Sequence, residues 1–149
     1  MGAPRADLQP PMTDEEVDTF LGTPRHMGHL ATVDRHGAPR VGPVWFAWAR
    51  PEVLVVTLST TARYRHIQNN PEVSLSVDAG TFPPTGAVLA GRATVEPPNA
   101  EDLMAIVGRY LPSTLAASYV HKYMSDEERV LLRINCSTIY GWLGSARRA

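Results

Sequence analysis

The chain has 149 residues, of which 44% are apolar and 19% charged, and its net charge is -1. That length fits one domain, and the composition excludes a disordered chain, a coiled coil and a collagen-like repeat. The near balance of charge argues against a surface built for nucleic acid, and the single cysteine, Cys136, excludes a disulfide framework or a cysteine-rich zinc cluster.

Residues 1–12 carry three prolines and little apolar content, and read as a mobile arm. They lack the apolar stretch of a secretory signal, and no later run approaches the ~18 apolar residues of a membrane span. The expectation is a soluble, cytoplasmic protein with one domain over 13–143 and a short basic tail over 144–149.

Thr13 followed by Asp14, Glu15 and Glu16 has the pattern of a capped helix start, and the helix is expected over 14–21. His29 to Val33 reads as a strand, Asp34 to Gly37 as a hairpin turn, and Arg40 to Ala49 as the returning strand. Pro43 within that strand points to a sheet edge or a bulge. Glu52 to Ser59 is apolar enough for a buried strand. A helix over 61–70 follows and stops at Asn69-Asn70-Pro71. Val73 to Val77 alternates, as a strand with one wet face does. Ala87 to Val95 is a strand broken by Gly91. Asn99 can cap a helix over 100–110, and a second helix covers 114–124. Arg129 to Ile134 and Ser137 to Trp142 read as two closing strands. Short strands joined by tight turns favour an antiparallel barrel with flanking helices, and no G-x-G-x-x-G follows the first strand.

Two segments hold chemistry. Thr60-Thr61-Ala62-Arg63-Tyr64-Arg65-His66 opens a helix just after a buried strand. Free N–H groups, the positive end of the helix dipole, two hydroxyls, two guanidiniums and an imidazole converge there, as a phosphate requires. A solvated basic helix face has the same composition. Pro43-Val44-Trp45-Phe46-Ala47-Trp48 carries aromatics on both strand faces: Val44, Phe46 and Trp48 on one, Pro43, Trp45 and Ala47 on the other. Both faces are therefore expected to be covered, by core, by a flat ligand or by a second subunit. The five histidines have no metal-ligand spacing, no metal is expected, and G-x-S-x-G is absent.

The order of segments resembles the pyridoxamine 5′-phosphate oxidase-like, FMN-binding split-barrel superfamily. Leu30-Ala31-Thr32-Val33-Asp34, Gly37-Ala38-Pro39-Arg40 and Pro43-Val44-Trp45-Phe46 are similar to its opening hairpin. Arg63-Tyr64-Arg65-His66-Ile67 with Asn70-Pro71-Glu72-Val73-Ser74-Leu75 resembles its phosphate-binding segment and the strand after it. Gly91 to Val95, Arg129 to Ile134 and Ile139 to Trp142 resemble the central and closing strands. Within the superfamily the chain looks closest to the flavin/deazaflavin oxidoreductases.

The resemblance implies a mainly β fold, a six-stranded antiparallel split β-barrel. It also implies a homodimer with cofactor at the subunit interface, and FMN or coenzyme F420 as cofactor, with a lean to F420. Arg63 and Arg65 would contact the cofactor phosphate, with Thr60 and Thr61 as hydroxyl donors. The strand Pro43, Val44, Trp45, Phe46 would lie along the ring, and Trp142 would wall the pocket. Hydride transfer to an activated C=C or C=N bond would follow, with Tyr64, His66 and Tyr119 as candidate proton donors. The alternative is a non-catalytic flavin, deazaflavin or haem-binding protein on the same barrel. The chain departs from the family where Arg63 replaces the usual Lys and His66-Ile67 the usual Asn-Leu. Its tail, with Arg147-Arg148, is too short for the substrate-binding motifs of true pyridoxamine phosphate oxidases.

Overall fold

The computed structural model describes residues 11–144. Most of the expected arm, 1–10, and the tail residues 145–149 lie outside the described residues. Pro11 and Met12 are fixed: Pro11 bridges to Trp142, and the Met12 N–H donates to the Gly141 carbonyl at 2.7 Å.

Helix α1 spans Asp14–Gly22 and begins as the sequence dictates. The Thr13 hydroxyl accepts from the Glu16 N–H, and the Glu16 carboxylate accepts from the Thr13 N–H, a reciprocal cap. Strands β1 (Gly28–Val33), β2 (Pro39–Val44), β3 (Phe46–Ala49) and β4 (Glu52–Leu58) follow, then helix α2 (Ala62–Asn69). Strands β5 (Glu72–Asp78) and β6 (Gly86–Glu96) lead to helices α3 (Ala100–Val107) and α4 (Ser113–Met124), and β7 (Arg129–Trp142) closes the fold. All pairings are antiparallel in a curled sheet of order β2-β1-β5-β6-β7-β4-β3.

Three expectations are corrected. The sheet has seven strands rather than the six the resemblance implies, and the strand expected over 40–49 breaks at Trp45. Its first part pairs with β1 and its second with β4. One covalent corner therefore joins the two edges of the sheet, and a barrel split at that seam results. The closing strands expected at 129–134 and 137–142 are one, β7, continuous because β4 supports its first half and β6 nearly its whole length. The register slips between Ala90 and Gly91, where Ser137 is left out of the pairing. A Cβ on Gly91 would run into the Asn135 carbonyl, so only glycine allows this close approach. Finally, the helix expected over 100–110 ends at Val107.

Two apolar cores result. Inside the curled sheet lie Leu30, Val44, Phe46, Val53, Val55, Leu75, Leu89 and Leu132, closed at one end by Val17 and Leu21 of α1. On the outer face of β3, β4 and β7, Ala47, Leu54 and Leu131 pack against α3 and α4. This resolves the aromatic strand: Val44, Phe46 and Trp48 face the inner core, and Trp45 and Ala47 the outer one.

Strand β2 is the free edge beside α2. The Asp34 N–H donates to the Ala38 carbonyl, so even-numbered residues of β2 point their backbone groups at β1, and Pro39, Val41 and Pro43 point theirs outward. Both prolines thus occupy positions where no ladder bond is lost.

Candidate cofactor site

The start of α2 packs against the end of the barrel where β1 and β2 terminate. Thr61 is the N-cap: its Oγ1 accepts from the Tyr64 N–H at 3.4 Å, and its own proton goes to the Leu58 carbonyl at 2.8 Å. The Thr61 hydroxyl is thereby committed to the helix start. Thr60 is exposed.

From the first turn Arg63 reaches back across β2. Its Nη2 donates to the Pro43 carbonyl at a long 3.4 Å, and it passes so close to Gly42 that a Cβ there would lie 2.9 Å from Nη2. Glycine at 42 is what lets the guanidinium lie on the strand. Burial lowers the Arg63 pKa below its ordinary value, although an arginine so placed still carries its charge. Arg65 leaves the helix on the other side, exposed, with one long bond from Nη1 to the Thr60 carbonyl at 3.4 Å. Between them His66 lies half-buried, its Nδ1 2.8 Å from the hydroxyl of the buried Thr32 on β1.

These side chains line two adjacent clefts. One, of about 210 Å³, is walled by Leu30, Thr32, Arg40, Val41, Thr61, Arg63 and His66. The other, of about 520 Å³, is walled by Asp34, Arg35, His36, Arg65, His66 and Asn69. The charge around them is unbalanced. Among the described arginines, Arg40, Arg50, Arg92, Arg129 and Arg133 each hold a carboxylate. Arg25, Arg35, Arg63, Arg65 and Arg109 hold none among the described residues, and of these Arg35, Arg63 and Arg65 line the clefts. Asp34, the acid nearest them, is already engaged. It accepts from the Ala38 and His36 N–H groups and from Arg40, and these bonds hold its carboxyl below its usual range against the opposing effect of burial. The site therefore presents spare forked donors and uncompensated positive charge, the chemistry of a phosphate receptor.

The neighbouring aromatic strand contributes backbone and shape. Val44 and Phe46 bury their side chains in the inner core, and the Phe46 N–H donates to the Tyr110 Oη at 3.2 Å. Trp45 stacks on Tyr110 with ring centroids 4.9 Å apart and planes 6° from parallel. Tyr110 also donates to the His26 carbonyl at 2.8 Å, fixing the seam of the barrel from the end of α3. Pro43 is exposed at the edge that Arg63 covers.

The pyridoxamine 5′-phosphate oxidase family model matches residues 13–143. The chain belongs to the pyridoxamine 5′-phosphate oxidase family. Solved structures with its fold include an F420 reductase, 26% identical, with a TM-score of 0.63 over 80% of this chain and 93% of that one. A conserved hypothetical protein from Mycobacterium tuberculosis is 22% identical, with a TM-score of 0.77 over 95% and 89% of the two chains. A heme binding protein from Mycobacterium smegmatis is 19% identical, with a TM-score of 0.67, covering 94% of this chain and 57% of that one. Comparison with curated proteins finds no match.

On this family fold, several of the expected site residues do not come together. Trp142 pairs with Gly86 and lies beside Tyr140, three strands from β1, or about 14 Å across the sheet. Within one chain it does not meet Arg63. Tyr119 belongs to the outer core with Tyr123, and the Tyr64 hydroxyl accepts from Gln68 at 2.9 Å. Cys136 is buried in the inner core, its thiol pushed up to about 11 by burial and by the nearby Glu52 charge, so it is a packing residue rather than a nucleophile. Sequence reasoning missed Thr32, Arg40, Val41 and Gly42 as walls of the site. Only the register of β1 on β2 brings them to α2, and no local motif signals that contact. No three His, Cys, Asp or Glu among the described residues are grouped to hold a metal ion.

Proposed function

We propose that this protein is a flavin- or deazaflavin-dependent oxidoreductase that holds its cofactor's phosphate at the start of α2. The observation that carries the reading is the group of guanidiniums of Arg63, Arg65 and Arg35, without carboxylate partners among the described residues, around an α-helix N-terminus. A charged group left unpaired in this way is explained by an anionic ligand. Arg63, laid over Gly42, would bind the phosphate from the β2 side and Arg65 from the other. Thr60 offers a free hydroxyl. The Val41 N–H, the one backbone donor on the outer edge of β2, and the Pro43–Phe46 backbone would run along the ring. When bound, the cofactor supplies hydride transfer, with an activated C=C or C=N bond as the substrate class. Likeness to an F420 reductase favours coenzyme F420 over FMN.

A second copy of the chain fits the reading. The outer face of β2, β1, β5, β6 and β7 carries the cross-strand row Pro43, His29, Ser76, Val88, Tyr140 and beside it Val41, Ala31, Ser74, Ala90, Thr138. The row holds no acid, lysine or arginine, and Val41, Val88 and Tyr140 are exposed. A homodimer through this face would cover them and bring Trp142 of one subunit toward the site of the other. The proposed location is the cytoplasm, and no described helix is long and apolar enough to cross a membrane. The heme binding protein on the same fold favours one second reading, a non-catalytic binding protein.

The test is a spectroscopic titration of the purified protein with coenzyme F420, FMN and haem side by side. Saturable binding of one flavin-type cofactor is expected, together with a dimer in sedimentation. Failure of both F420 and FMN to bind at high micromolar concentration, or preferential binding of haem, overturns the reading.

A further inference from the structure

We infer that His66, its ring fixed by Thr32, is a proton-linked ligand for the anion held at the start of α2, so that anion binding takes up a proton. The inference rests on the reading of Arg63 and Arg65 as anion ligands. His66 belongs to the walls of both clefts and is the titratable side chain at their junction. Its Nδ1 meets the Thr32 hydroxyl at 2.8 Å. Thr32 is 3% exposed and sits on a paired strand, so this anchor does not move with solvent. A hydroxyl rotates: it donates to a neutral Nδ1 and accepts from a protonated one. The ring therefore keeps its orientation in both states, leaving Nε2 for the clefts.

The groups facing it set the sign. From the β1–β2 hairpin come Arg35, His36, Arg40 and Asp34, the last neutralised by Arg40. From α2 itself come Arg63 and Arg65. In the empty site the charge facing His66 is in positive excess. An anion seated among the guanidiniums reverses that field and accepts a hydrogen bond from the imidazolium. Anion binding at this junction is thus linked to a proton on the ring, and affinity rises as pH falls.

The experiment uses sulfate, whose charge is constant across neutral pH, as the probe in calorimetry between about pH 6 and pH 8. Repeating each titration in buffers of different ionisation heat yields the number of protons taken up. The parent is expected to bind sulfate about tenfold more tightly at the acid end, with uptake of a fraction of a proton. His66→Asn should reduce the pH ratio to below about twofold and abolish the uptake. Thr32→Val should shrink the ratio, and Thr32→Ser should restore it. His121→Asn, on α4 and outside both clefts, should keep both. Uptake that survives in His66→Asn, or vanishes in His121→Asn, overturns the proposal. An unchanged ratio in Thr32→Val removes Thr32 from it. If the parent binds sulfate without pH dependence and Arg63→Ala weakens that binding, the anion site stands and the proton link fails. If neither sulfate nor FMN binds the parent at any pH, the site itself fails.

Discussion

Arg133 and Arg63 show two opposite ways of keeping a guanidinium in a folded protein. Arg133 stands on β7 where three elements meet, and every face of its fork is answered. Nε lies 3.0 Å from both Glu96 oxygens, Nη1 2.9 Å from Glu52 and Nη2 2.8 Å from Asp102. Those carboxylates raise its pKa above the ordinary value, so the site stabilises the charge. Arg63 has one long bond to a carbonyl, and burial lowers its pKa. The first arginine is finished by the fold. The second is held at some cost, and the proposed anion would complete it.

The comparison breaks most visibly at Arg133. Arg133→Ala leaves Glu52, Glu96 and Asp102 facing one another without a cation. We expect a loss of about 2–3 kcal/mol in urea unfolding, moderated by partial exposure, with cofactor affinity per folded molecule unchanged. Arg63→Ala should give the reverse pattern. Loss of a charge-assisted bond to phosphate corresponds to about 1.5–3 kcal/mol, or ~10- to 150-fold in affinity, while stability stays the same or rises slightly. If Arg63→Ala unfolds the protein as Arg133→Ala does, the contrast is wrong. Gly42→Ala sharpens the point without touching a charge. Its methyl group displaces a flexible side chain rather than backbone, so the fold should persist while cofactor affinity falls about tenfold, measured by the same titration. The smallest effect concerns Asp34. Its folded pKa is depressed, so its contribution to stability is present above the ordinary carboxylate pKa and is lost as pH falls through the lowered value. Asp34→Asn should remove that part of the acid-side decline in thermal melts between about pH 5 and pH 2.

What the sequence shows plainly is what is local. The Thr13–Glu16 cap, the turn after Asp34, the Thr61 and Asn99 helix starts and the two-faced aromatic strand depend on residues within four positions of each other. The structure has all of them. The break at Trp45 and the continuity of β7 depend on partners. β2 and β3 differ because β1 claims one and β4 the other, and β7 runs through because two strands flank it. The site divides in the same way. The basic run at 60–66 is visible in the chain, but its counterpart is not. The Thr32 hydroxyl lies 34 positions from His66, and the Tyr110 hydroxyl that meets the Phe46 N–H lies 64 positions away. Pairings of that span are set by sheet register, which no short motif encodes.

The two outward-facing prolines of β2 have a consequence for how molecules of this protein meet. A strand edge is an invitation to another chain, because its unpaired N–H groups can start a new ladder. Here Pro39 and Pro43 remove the donors on either side of Val41, so an incoming strand would find a single N–H where continued pairing needs a series. Copies of this chain are thereby steered away from edge-to-edge growth into fibrils. The edge proposed to admit a ligand is closed to templated aggregation by the same residues.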